Sequence, residues 1–147
     1  MFKYFILCIS AVALSAAKAE PNESWQILFN NKVIFKGNSD QPDPIASLKV
    51  SSFKATDQIT IKYFMSNADN NWKRTFLVND ESEKNFVTLG LNKQTGSVSF
   101  QAGKLKELME KKKPVYIYTV SVPKDPSLAA SVRVRRILLC KLEWNNL

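Results

Sequence analysis

Residues 58–65 read Gln-Ile-Thr-Ile-Lys-Tyr-Phe-Met. Ile59, Ile61, Tyr63 and Met65 recur at a strict spacing of two, with Gln58, Thr60 and Lys62 between them. Successive side chains of a β-strand point to opposite faces, so this stretch predicts a strand with one face on a core and the other toward water. The same period continues on both sides. Upstream, Trp25, Ile27 and Phe29 keep the same spacing of two, and Val33 and Phe35 follow Asn30-Asn31. An Asn pair tolerates positive φ, which predicts a tight hairpin turn. Two prolines in Asp40–Pro44 interrupt the pattern before a short strand around Leu48 and Val50.

Downstream, the polar segment 66–71 precedes a strand in which Arg74, Phe76 and Val78 share a face. A charged turn at 80–85 leads to Val87, Leu89 and Leu91, and a turn at 92–96 leads to Val98 and Phe100. Leu105, Leu108 and Met109 then change the period to i, i+3 and i+4, which predicts a short amphipathic helix over residues 103–112. The pairs Glu107/Lys111 and Lys106/Glu110 support it at i, i+4, and Pro114 ends it. Residues 115–122 are rich in β-branched and aromatic side chains and read as a strand, 123–130 as a loop, and 132–144 as a long final strand. About eight or nine short strands with one helix predict an all-β fold, an antiparallel β-sandwich. No internal repeat or linker divides it, so residues 20–147 are expected to form a single domain.

The first 19 residues carry a different signal. Lys3 precedes an apolar run, Tyr4–Leu14, and Ala17-Lys18-Ala19 supplies the small-x-small pattern of a signal-peptidase site. The run is too short to span a bilayer comfortably, which takes about 20 residues. Residues 1–19 therefore read as a cleaved signal peptide, the chain's only expected membrane contact. The net charge is +8, and loss of Lys3 and Lys18 leaves +6. Cys8 departs with the leader, leaving Cys140 alone, so no intramolecular disulfide forms and the core must hold the fold. That economy with cysteine points to a bacterial periplasmic or secreted protein. Cys140 itself, among Leu138, Leu139 and Leu142, reads as a small buried hydrophobe.

The chain has no histidine. That removes Ser-His-Asp and Cys-His nucleophile systems, His-based proton transfer and nearly all transition-metal sites. No metal or cofactor is expected. No Gly-rich phosphate loop or alternating-acid calcium loop occurs. Without a set of groups tuned for catalysis, a non-catalytic role is expected. The function expected is that of an exported binding or envelope-associated module recognising an anionic polysaccharide or a protein partner through its basic surface and the loops at one end of the sandwich. Specific nucleic-acid binding is not expected, because export separates the chain from such targets and no binding motif is present. The alternative is a carbohydrate-active hydrolase, or an accessory subunit of one, using two carboxylates among Asp57, Asp69, Asp80 and Glu143.

Two clusters stand out. Trp72-Lys73-Arg74, beside the polar loop, places an aromatic plane next to two cations and is the candidate ligand-binding patch. The run Arg133-Val134-Arg135-Arg136 raises a question of parity. On a regular strand Val132, Val134, Leu138, Cys140, Leu142 and Trp144 share the apolar face, and Arg136 falls among them. Three explanations compete: a bulge near Arg135, which would turn Lys141 and Glu143 inward, a side chain snorkelling at the sheet rim, and an Arg paired with a buried carboxylate. An arginine buried there needs a carboxylate, and Asp57 and Asp80 are the expected partners in a structural ion pair.

Overall fold

The computed structural model describes residues 22–145; the predicted leader, including Cys8, lies outside them. Among the described residues the chain forms nine strands: β1 (Glu23–Phe29), β2 (Lys32–Asn38), β3 (Ile45–Lys49), β4 (Gln58–Met65), β5 (Trp72–Asn79), β6 (Asn85–Leu91), β7 (Gly96–Gln101), β8 (Val115–Pro123) and β9 (Arg136–Asn145). One sheet has the order β2-β1-β4-β7 and the other β3-β9-β8-β5-β6. Every pairing is antiparallel except β3 with β9, which run parallel. The β-sandwich expected from alternation is the fold observed.

The alternation becomes a core because each strand has one apolar row to bury. Ile59, Ile61 and Tyr63 of β4, with Trp25 and Ile27 of β1 and Phe100 of β7, face Phe76 and Val78 of β5, Val115 and Ile117 of β8 and Leu142 of β9. Asn30 and Asn31 have φ of 48° and 65°, the two positive values that a type I′ turn requires between β1 and β2. Asn30 also ties this turn to β4, since its Oδ1 accepts from the Gln58 amide at 2.9 Å.

Helix α1 (Lys106–Glu110) follows a 3-10 turn at Ala102–Leu105 and buries Leu105 and Leu108. Both expected i, i+4 pairs are present, Lys111–Glu107 at 3.1 Å and Lys106–Glu110 at 3.7 Å. The segment read as a loop at 123–130 contains a second short helix, α2 (Pro126–Ser131). Its cause is local: Asp125 accepts from the Ser127 amide at 2.9 Å, and Pro126 occupies the first turn, where it sacrifices no helical hydrogen bond.

The final strand departs from its expected parity. Ile117 pairs with Cys140 and Tyr118 with Leu138, leaving Leu139 as an extra residue in β9. Leu139 and Cys140 are consequently both buried. This bulge sits inside the run Ile137–Cys140, where a change of parity exposes no polar residue to the core. C-terminal to it, Lys141 keeps its outward position. N-terminal to it, the start of β9 changes face: Ile137 turns inward and Arg136 outward. The Leu139 carbonyl accepts the Trp25 indole N–H at 2.8 Å, so one hydrogen bond ties the bulge to the opposite sheet.

The bulge also changes the expected ion pair. Arg136 lies on the outer face of β9, with its guanidinium 4.1 Å from the centre of the Tyr118 ring. Its partner is Glu83, in a two-pronged contact of 2.6 and 3.1 Å, rather than Asp57 or Asp80. Those two acids close turns. Asp57 accepts from the Lys54 amide and from Asn30, and Asp80 accepts from the amides of Ser82 and Lys84. Glu83 reaches Arg136 because it has positive φ in the β5–β6 turn. The Arg136 hydrogen bonds hold the Glu83 carboxyl below its ordinary range.

Cys140 is fully buried, as its apolar neighbours predict. Burial pushes its thiol pKa up to about 12, against a smaller opposing effect of the Ala46 backbone. At pH 8 such a thiol is ionised in about one molecule in 10⁴, compared with about a quarter of unfolded chains. Iodoacetamide is therefore expected to label Cys140 at least ~1,000-fold more slowly in the native protein than in guanidinium. Mass spectrometry of the alkylated chain measures both rates, and rapid native labelling would contradict the buried placement.

Candidate functional site

The strand ends define where a site can form. Glu23 opens β1 opposite Met65, the end of β4, while Trp72 opens β5 opposite Pro123, the end of β8. These ends lie at one pole of the sandwich, where the sheets part around a cleft of about 360 Å³. Trp72 and Arg74 line it, joined by Glu23, Asp69, Arg133 and Arg135. Of the predicted patch, Trp72 and Arg74 share the inward face of β5, and period two sends Lys73 to the outer face, where it is exposed. The structure brings two of the three candidates together and separates the third.

Arg74 forms the floor. It is 2 % exposed, yet no carboxylate forms an ion pair with it among the described residues. Its Nε donates to the Gln94 carbonyl at 2.8 Å, Nη1 donates to Thr119 Oγ1 at 3.1 Å, and Nη2 faces the Met65 sulfur at 3.9 Å. The guanidinium lies 3.9 Å from the centre of the Tyr63 ring, a cation–π contact made stronger by exclusion of water. Tyr63 in turn stacks on Trp25 with centroids 5.8 Å apart and planes 3° from parallel. A column of Trp25, Tyr63 and Arg74 thus runs from the bulge to the cleft.

Burial lowers the Arg74 pKa, opposed by the nearby Tyr63 and Glu23. Burial raises that of Tyr63, with Arg74 acting against it and Glu23 reinforcing it. The Tyr63 hydroxyl is buried without a partner in hydrogen-bonding geometry.

Gln94, in the turn read simply as 92–96, organises the cleft. Its Oε1 accepts the Asp69 amide at 2.6 Å, its Nε2 donates to Ser121 Oγ at 3.1 Å, and its carbonyl takes Arg74. The buried Gln94 thereby ties the 66–71 loop to β8 through its side chain and to β5 through its backbone carbonyl. Asp69 Oδ1 caps the Asn71 amide at 2.8 Å, and its carbonyl receives the Trp72 amide at 3.1 Å, which sets the entry of Trp72 into β5.

Arg133 and Arg135, in the irregular segment between α2 and β9, line the cleft. They are exposed, and neither forms an ion pair among the described residues. Three unpaired guanidiniums therefore converge on one small volume beside the half-buried Trp72. The four acids considered for hydrolysis are dispersed. Only Asp69 lines the cleft; Asp57 and Asp80 hold turns, and Glu143 pairs with Lys141 at 2.8 Å. Among the described residues no cluster of three or more acidic or thiol side chains is arranged to hold a metal ion. No helix among them is long and apolar enough to cross a membrane.

Compared with known proteins, the chain matches no family model, no curated protein and no solved structure.

Proposed function

We propose that this chain is an exported, non-catalytic binding module that captures an anionic ligand in the cleft between its sheets. The observation that carries this reading is the buried guanidinium at the cleft floor, which has no ion-pair contact among the described residues. Burying a charge costs several kcal/mol or more, and an apolar side chain of the same length is often at least as good for stability. Arg74 bears that cost with no carboxylate in ion-pair contact, Glu23 acting on it only at longer range, and an incoming anion supplies a direct partner. Arg133 and Arg135 at the rim add attraction, and Trp72 offers a flat apolar surface.

Hydrolysis is the weaker reading. Glycoside cleavage needs two carboxyl groups, one kept protonated by an apolar setting away from cations. The carboxylates lining this cleft are Glu23 and Asp69, and both share it with the guanidiniums.

The test is titration of the exported protein, recovered with Glu20 as its first residue, against a galacturonate dimer, tetraglutamate and inorganic triphosphate. Amide spectra are expected to show saturable shifts at Trp72, Gln94 and Asp69 with at least one of these anions. Arg135→Glu is expected to weaken that binding about 10-fold or more. If no anion moves the cleft resonances, the proposed function fails.

A further inference from the structure

The lining of the cleft selects among anions. Glu23 and Asp69 stand beside the three arginines, so a ligand with charge along its whole length, such as a polyphosphate, meets two like charges as well as three opposite ones. The lining suits a ligand carrying one localised anionic group next to neutral hydroxyls. Asp69 is exposed, and only its Oδ1 is engaged, by the Asn71 amide; Oδ2 is free to accept from a hydroxyl. Arg135 and Arg133 present planar forks to a carboxylate, the group that guanidinium binds in bidentate fashion. Trp72 presents a flat π-surface, against which the C–H face of a sugar ring can lie.

We infer that the cleft is a subsite for an acidic sugar residue, its carboxylate held by the Arg135 and Arg133 forks over Arg74, its ring on Trp72 and a hydroxyl on Asp69. This rests on the reading of the cleft as an anion site and names the ligand class. The cleft lies toward the small end of the ligand-pocket range of about 300–1,000 Å³, so it accommodates a short segment of a glycan rather than a long one. Gln94 is a positioning residue here, because its side-chain oxygen and amide are already engaged by Asp69 and Ser121.

Amide and indole spectra of the whole exported protein follow titration with galacturonate, glucuronate and N-acetylneuraminate oligomers, the methyl ester of the galacturonate dimer, tetraglutamate and triphosphate. At least one acidic oligosaccharide is expected to shift the Trp72 indole and Asp69 amide and to bind at least ~10-fold more tightly than tetraglutamate or triphosphate. Esterification, which keeps the shape and removes the charge, is expected to weaken the galacturonate dimer about 10-fold or more, and so is Arg135→Gln. Arg135 is exposed, and unchanged spectra elsewhere show that the variant is folded. Tetraglutamate or triphosphate binding the cleft as tightly as the sugars would overturn the sugar assignment and leave the anion site standing. Sugar binding indifferent to esterification or to Arg135→Gln would overturn it as well. Silence of the cleft toward every anion would overturn both readings.

Discussion

Trp25→Ala is expected to destabilise the domain by about 3–5 kcal/mol, the range for deleting a buried aromatic side chain. For a domain of this size that lowers Tm by roughly 10–20 °C. Three losses coincide at this position. The indole is buried between the sheets, it stacks on Tyr63, and its N–H closes the 2.8 Å bond to the Leu139 carbonyl. The carbonyl belongs to the extra residue of a bulge, and without the indole a buried acceptor is left unpaired, at about 1–3 kcal/mol. Gly37, opposite Trp25 on β2, shows how closely the indole is held: a Cβ there would strike Trp25 and Phe35. Trp25→Phe separates the contributions. It keeps most of the packing against Tyr63 and removes only the hydrogen bond, so its cost is expected to be about 1–3 kcal/mol. Denaturant unfolding of both variants measures the difference. A Trp25→Phe variant as stable as the parent protein would mean that the bond to the bulge contributes nothing.

The same bulge marks the boundary of what could be read from sequence. Strict alternation identified β4 and β7 because polar residues separate the inward apolar ones, so each of these strands has a single parity. In β9 the run Ile137-Leu138-Leu139-Cys140 is apolar throughout and accepts a parity change at any point without exposing or burying a charge. A bulge at Arg135 conflicts with Lys141 and Glu143, whereas one at Leu139 leaves Lys141 outside and takes Arg136 out of the core. The length of that apolar run was the available signal.

Other contacts depend on topology. Glu83 pairs with Arg136 across 53 positions because β5 and β9 both flank β8, a strand order that alternation does not specify. Gln94 has no distinguishing context in sequence, and its role arises only when the 66–71 loop folds over it. Trp72 and Arg74 were legible as a patch through composition, and their separation from Lys73 follows from period two once β5 begins at Trp72. Helix α2 falls in the segment read as a loop, although the Asp-Pro-Ser start at 125–127 was the available signal.

Arg74→Met is expected to lower affinity for the best-bound anion by about 100-fold, the scale of losing a desolvated charge-assisted contact. Stability is expected to fall by no more than about 1–2 kcal/mol, because the methionine removes a buried charge as well as its bonds. The balance has identifiable parts. The Gln94 carbonyl loses the Nε donor, and Tyr63 loses a cation–π contact worth about 0.5–2 kcal/mol. Thr119 Oγ1 keeps a partner, since it also donates to the Thr75 carbonyl at 3.0 Å. Against these losses stands release of the several kcal/mol spent in desolvating the guanidinium. Methionine is unbranched and packs well on an aromatic face, so little cavity remains. Unfolding and binding measured on the same preparation separate the two roles. If Arg74→Met is as destabilising as Trp25→Ala, the guanidinium is a structural post and the cleft floor is not a ligand site. If stability holds and anion binding is lost, the charge is retained at a stability cost because a ligand uses it.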